Sequence, residues 1–116
     1  MKFICYPKCM TCKNAKKWLK ENGISYEERD INADNPTYDE LKEWYIKSGR
    51  PLKKFFNTSG LLYKSLELKN KLPEMTEDEQ LKLLASDGML VKRPLIITDD
   101  TVLVGFKEKI YEEFLK

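Results

Sequence analysis

Apolar positions in this chain fall into short runs and helical stripes, and their periods divide it into three parts. The first part opens on Lys2-Phe3-Ile4-Cys5-Tyr6, an apolar run that predicts a strand, with Pro7 marking the turn after it. Lys13 to Asn22 predicts an amphipathic helix, stopped by Asn22-Gly23. Ile24 to Ile31 then predicts a second strand, and Asn32 to Pro36 a loop.

The second part begins at Thr37-Tyr38-Asp39-Glu40, the spacing of a capping box, ahead of a helix that sets Tyr38, Leu41, Trp44 and Tyr45 on one face. That aromatic stripe reads as core rather than as a ligand platform. Ser48-Gly49-Arg50-Pro51 ends the helix, and Asn57-Thr58-Ser59-Gly60 predicts a turn with helical turns on both sides. A second capping box, Thr76-Glu77-Asp78-Glu79, opens a helix with Leu81, Leu84 and Ala85 inward, which Asp87-Gly88 stops. In the third part, Leu95-Ile96-Ile97 and Val102-Leu103-Val104 flank Asp99-Asp100 as a short hairpin, the two aspartates reading as turn residues rather than an acid/base pair. Phe106 to Leu115 predicts a closing helix with Phe106, Ile110 and Phe114 buried.

The predicted order is β-α-β, helices over approximately 37–90, then β-β-α. A chain of 116 residues fits one compact domain, here residues 1–116, and can bury a core without staples. At 41% hydrophobic, 34% charged and net charge +2, composition is that of a soluble globular protein, and so small a positive excess implies no direct contact with nucleic acid. No apolar run approaches the roughly 18 residues of a membrane span, and the N-terminus lacks the regions of a signal peptide, so no membrane association and a cytoplasmic location are expected.

In that compartment the cysteines change the picture, because closely spaced thiols there are more often catalytic or redox-sensing than a permanent framework. Cys9-Met10-Thr11-Cys12 sits where the first strand meets the first helix. A thiol at a helix start faces unpaired N–H groups and the positive end of the helix dipole, which favour the reactive thiolate. A second thiol three residues on lies one turn away, so Cys9 is the expected nucleophile and Cys12 the resolving thiol. A zinc site needs about four ligands, and this chain offers three cysteines and no histidine. Haem attachment wants histidine where Lys13 stands. Two inert core cysteines are the other reading; Lys8, Lys13, Lys16 and Lys17 argue against it, since an electropositive rim lowers a thiol pKa. Cys5, inside the strand, reads as core. The element order with an N-terminal Cys-x-x-Cys predicts an α/β, thioredoxin-like fold with a helical insertion between the β-α-β half and the β-β-α half.

Several segments together resemble the arsenate reductase (ArsC)/Spx family across essentially the full chain: Tyr-Pro-Lys-Cys-x-Thr-Cys-Lys at 6–13, Lys53 to Gly60, Asp87 to Leu95, and Val104-Gly105-Phe106. The resemblance implies a thioredoxin-like fold in which Pro94 is cis and faces the nucleophile, Cys9. It implies a redox partner for Cys9 in Cys12, where members relying on external glutathione and glutaredoxin carry Ser or another residue. It also implies an oxyanion- or thiolate-holding role for Arg93. No bound cofactor is expected, and glutathione, glutaredoxin or thioredoxin would supply electrons. Arsenate reductases proper resemble one another in two further arginines, one in the loop matching Asn57 to Ser59 and one near Gly105, and this chain has neither. Each missing charged hydrogen bond is worth roughly 1.5–3 kcal/mol, which makes arsenate a poor substrate. The resemblance leaves two functions: a thiol–disulfide oxidoreductase acting on a redox protein or a small disulfide, and an Spx-like regulator that binds RNA polymerase. In the second, Gly49 matches a polymerase-contacting glycine, although its position after a helix reads first as a C-cap.

Overall fold

Phe3, Ile4 and Cys5 are fully buried along β1 (Lys2–Cys5), the pattern of a strand covered on both faces. The computed structural model describes residues 1–116. Strands β2 (Glu27–Asp30), β3 (Leu95–Ile97) and β4 (Val102–Val104) complete a sheet ordered β2-β1-β3-β4. β1 and β2 run parallel with Lys2 opposite Glu27; β3 is antiparallel to β1 and forms a hairpin with β4, Leu95 opposite Val104. The Thr98 side chain accepts the N–H groups of Asp100 and Thr101 at the hairpin turn, and Asp99 and Asp100 stand exposed there as turn residues.

Alternation along the strands splits the interior in two. Phe3, Cys5, Ile96 and Leu103 face α1 (Met10–Glu21) and α6 (Glu108–Leu115), packing with Cys12, Ala15, Trp18, Leu19 and Tyr111. Ile4, Leu95, Ile97 and Val102 face the opposite way, against helices that lie between β2 and β3 in the chain: α2 (Tyr38–Ser48), α3 (Leu61–Ser65), α4 (Leu68–Lys71) and α5 (Glu77–Ser86). The chain is therefore α/β with helices on both faces of a mixed sheet.

Both capping boxes form reciprocally, Thr37 with Glu40 and Thr76 with Glu79. Leu41 and Trp44 are buried, while Tyr38 and Tyr45 are half-buried and donate their hydroxyls to Asp78 and Glu77 in the first turn of α5. Arg29 ties β2 to α2 through two hydrogen bonds to Glu40, at 2.6 and 2.9 Å. That pairing holds the Glu40 carboxyl well below its ordinary range, at about 2. A carboxyl lowered in the folded state contributes stability above its unfolded pKa and loses it as pH falls through the folded one. Stability measured by denaturant titration is therefore expected to drop as pH is lowered from the ordinary 4.5 toward 2, and Glu40→Gln should flatten that part of the profile.

Three boundaries differ from the sequence reading. β2 begins at Glu27, because Gly23 adopts a left-handed conformation (φ 65°) and the Ile24 N–H returns to the Leu19 carbonyl before the chain reaches β1. α1 starts three residues early, at Met10, so Cys9 caps it and Cys12 lies within its first turn. The phase of α6 is shifted by one position: Tyr111 is 1% exposed and Phe114 is 51% exposed, with Phe106 and Ile110 half-buried. Tyr111 wins the inward position because Trp18 and Phe106 meet its ring edge-on and the Gly105 carbonyl accepts its hydroxyl at 2.8 Å.

Candidate redox site

The first turn of α1, the loop before β3 and the turn at Asn57–Gly60 meet at one cavity. It has a volume of about 560 Å³, and Cys9, Thr11, Asn57, Ser59, Lys92 and Arg93 contribute to its wall. Cys9 is the N-cap residue, its N–H bonded to the Tyr6 carbonyl at 2.9 Å and its carbonyl accepting from Lys13. Its side chain is half-buried on the cavity, whereas Cys12 is buried, with its sulfur accepting the Tyr6 N–H at 3.4 Å. All three cysteines are free thiols.

Their environments push the thiols apart. Partial burial works to raise the Cys9 pKa, but the backbone N–H and thiol of Cys12 and the Arg93 guanidinium outweigh it, and the net direction is down. The neutral Cys9 thiol closes no side-chain cap bond; the thiolate is the form those donors select. Burial pushes Cys12 up to about 12, and burial with the nearby Glu28 carboxylate pushes Cys5 up to about 11. Cys9 is thus the thiol of lowered pKa, and the other two are held protonated at neutral pH.

Arg93 lies over the Tyr6 ring at 5.2 Å, donates from Nη1 to the Met89 carbonyl at 3.4 Å, and keeps a buried Nε with no partner. The Arg93–Pro94 peptide is cis. The Pro94 carbonyl accepts the Gly105 N–H at 2.8 Å, and Tyr111 holds the Gly105 carbonyl, so α6 braces the segment carrying Arg93. Cys9 and Arg93 thus meet on one cavity from distant parts of the chain, with Cys12 beside Cys9 and Pro94 the residue that follows Arg93.

Of the lysines expected to rim Cys9, three lie elsewhere and Lys8 stands exposed beside it in the chain. Lys13, Lys16 and Lys17 line a different surface, turned away by the helix, and no lysine is among the groups that lower Cys9. The cation on the cavity wall that the sequence reading overlooked is Lys92, whose only sequence signal is adjacency to Arg93-Pro94. Tyr111 was also missed, and no local pattern singles it out. No group of three or more His, Cys, Asp or Glu side chains is placed to hold a metal ion, and no helix is long and apolar enough to cross a membrane.

Alkylation of Cys9 by iodoacetamide is expected to rise with pH through a midpoint below about 8.5, the value of a free thiol. Arg93→Lys should move that midpoint upward, since lysine keeps the charge but loses the planar fork. An unchanged profile would remove Arg93 from the site.

Comparison with known proteins gives a consistent set of likenesses. The profile of the ArsC family matches residues 5–114. A solved structure of an ArsC family related protein from Bacteroides fragilis superposes with a TM-score of 0.94 at 59% identity, covering 97% of each chain. YusI, an uncharacterized protein of Bacillus subtilis (strain 168), is 59% identical over 96% of this chain and 94% of its own. The regulatory protein MgsR of the same organism is 31% identical over 90% of this chain and 81% of its own.

Proposed function

The chain belongs to the ArsC family, and on that footing we propose that it is a thiol–disulfide oxidoreductase with Cys9 as nucleophile and Cys12 as resolving thiol. One observation carries the reading: a half-buried thiol with a lowered pKa stands beside a buried thiol held protonated. An attacking sulfur must be ionised and reachable; a resolving sulfur must wait.

The reaction balances as follows. The Cys9 thiolate attacks one sulfur of a substrate disulfide, forming a mixed disulfide, and the other substrate sulfur leaves as a thiolate that takes a proton from water. Cys12 then attacks the Cys9 sulfur as it gives up its proton; the Cys9–Cys12 disulfide forms and the second substrate sulfur departs, taking up that proton as a thiol. The substrate gains two electrons and the protein loses two. An external thiol donor such as glutathione, glutaredoxin or thioredoxin returns them. Arg93 steadies the Cys9 thiolate before attack, while the segment carrying Arg93 and Pro94 borders the space a substrate enters.

The protein is expected to reduce a glutathione mixed disulfide and to leave arsenate essentially untouched. Asn57 and Ser59 present uncharged groups to the cavity, and Gly105 presents none, where arsenate chemistry would call on arginines. The test supplies thioredoxin or glutaredoxin systems with each substrate, with Cys9→Ser as the blank. Robust arsenate turnover would overturn the reading.

A second reading is favoured by the similarity to a regulatory protein: a redox-sensing regulator in which the same pair switches a surface that binds RNA polymerase. Gly49 has φ 66°, caps α2 and has open space around it. Co-purification of RNA polymerase, lost on oxidation or in a Gly49→Arg variant, would select this reading.

A further inference from the structure

Cys5 is the thiol that the exchange reaction leaves unused, and it lies beneath the pair that reacts. β1 ends on it, its carbonyl accepts the Ile31 N–H at 2.8 Å, and its side chain is fully buried on the sheet face that packs against α1. Cys12 belongs to the same packed cluster. The residue between them in space fixes how near they are. The Tyr6 N–H donates to the Cys12 sulfur at 3.4 Å, and two covalent bonds, of about 1.3 and 1.5 Å, join the Tyr6 nitrogen to the Cys5 Cα. The Cys12 sulfur therefore stands no more than about 6 Å from the Cys5 Cα. On its other side Cys12 bonds to Cys9, so it stands between a thiol on the cavity and a thiol in the core.

Once Cys9 and Cys12 are joined, a third thiol has two sulfurs to attack, and they are not equivalent. Attack at Cys12 expels Cys9, whose pKa is lowered, despite partial burial, by Cys12 and Arg93. Attack at Cys9 would expel Cys12, which burial first, and then the neighbouring Cys9 and Cys5 sulfurs, hold up at about 12. The thiol of lower pKa leaves faster. Chemistry and position thus select the same sulfur, since Cys12 is the one that adjoins Cys5. The step is slow because Cys5 must ionise. Burial above all, then the Glu28 carboxylate, raises it to about 11, with Asp30 and Cys9 adding and Lys16 on α1 opposing.

We propose that Cys5 is a third exchanging thiol, which takes Cys12 over from Cys9 and moves the disulfide from the cavity into the core. The inference rests on the Cys9–Cys12 disulfide of the oxidoreductase reading and goes beyond it. Cys5 gives its proton to water and attacks the Cys12 sulfur; the Cys5–Cys12 bond forms, the Cys9–Cys12 bond breaks, and Cys9 leaves as a thiolate. No electrons enter or leave the protein in this step. Cys9 is then free again on the cavity wall. A chain that already stores one disulfide can capture a second substrate sulfur there, while the stored bond is shielded in the core from external thiols.

Trypsin separates the outcomes, because Cys5 falls in the peptide 3–8 and Cys9 and Cys12 fall together in 9–13. Reduced full-length protein is oxidised in oxygen-free buffer at about pH 8, near the pKa of a free thiol, with one equivalent of diamide, which takes up two electrons and two protons. Samples are quenched with acid at intervals, alkylated with N-ethylmaleimide and mapped by mass spectrometry. The first samples are expected to carry the bond within 9–13. Later ones, over minutes to hours, should carry a bond joining 3–8 to 9–13, with the maleimide on Cys9. Conversion should slow about ten-fold for each pH unit lower, following the Cys5 thiolate. Iodoacetamide labelling of Cys9 in the native protein should return in parallel, and should stay lost in the oxidised Cys5→Ala variant. A bond within 9–13 that persists overnight, with Cys5 fully alkylated, would overturn the proposal and leave the pair intact. A Cys5 link already dominant in the first sample would overturn the order of steps. No bond within 9–13 at any time would overturn the reactive pair, and the relay with it.

Discussion

Cys12→Ser is expected to convert a turning-over protein into one that reacts once and stops. Cys9 keeps its helix cap and its Arg93 neighbour, so the first attack still occurs and one equivalent of substrate thiol is released per protein. The mixed disulfide then waits for an external thiol. A resolving group one helical turn away acts at an effective concentration far above that of any free thiol, so multiple turnover should fall on the order of 100-fold or more. A covalent adduct on Cys9 should appear by mass spectrometry. The buried site accepts the change sterically, since a serine oxygen can take the Tyr6 N–H that the sulfur now accepts. Undiminished turnover would mean that Cys12 does not resolve, and that some other thiol does.

Gly88→Ala is expected to produce a large loss of stability from a single methyl group. A Cβ at Gly88 would stand 2.1 Å from the Ile31 carbonyl oxygen and 2.6 Å from the Asn35 side-chain oxygen. The first contact is backbone at the end of β2, and Asn35 is itself committed to the Ala85 carbonyl at 2.7 Å. Neither can retreat by changing rotamer. Overpacking of this kind costs about 3 kcal/mol, and thermal unfolding should fall by roughly 10 °C. The turn at Gly88–Leu90 also holds Met89, whose carbonyl receives Arg93, so any surviving fold should show a raised Cys9 pKa as well. A melting temperature within about 2 °C of the parent would show that the loop yields.

What the sequence disclosed follows from the range of the forces involved. Thr37 with Glu40 and Thr76 with Glu79 are each satisfied within four residues, so both helix starts were legible. The apolar runs at Phe3–Cys5, Leu95–Ile97 and Val102–Val104 are buried strands because nothing else so short and apolar could be. The phase of α6 was not legible: Phe106, Ile110 and Phe114 have a helical period as good as that of Tyr111 and Leu115, and only Trp18 and the Gly105 carbonyl decide between them. The lysines misled for a related reason. Nearness to Cys9 along the chain says nothing of direction, and the 100° step of the helix carries them onto another surface. Arg93 became a candidate only through resemblance, because no local pattern connects it to Cys9.

The charge on β2 bears on how this protein behaves when crowded. Glu27, Glu28, Arg29 and Asp30 make the outer strand of the sheet on that side, where unpaired backbone groups are a template for another chain's strand. A second copy adding there antiparallel would bring carboxylates of Glu27, Glu28 and Asp30 close to their counterparts, which disfavours sheet growth at that border. The opposite border, β4, is apolar but only three residues long before Gly105 turns the chain away at φ 83°. Self-association into fibrils is resisted by repulsion on one flank and by brevity on the other, and neutralising Glu27 and Glu28 is the change that would expose the first.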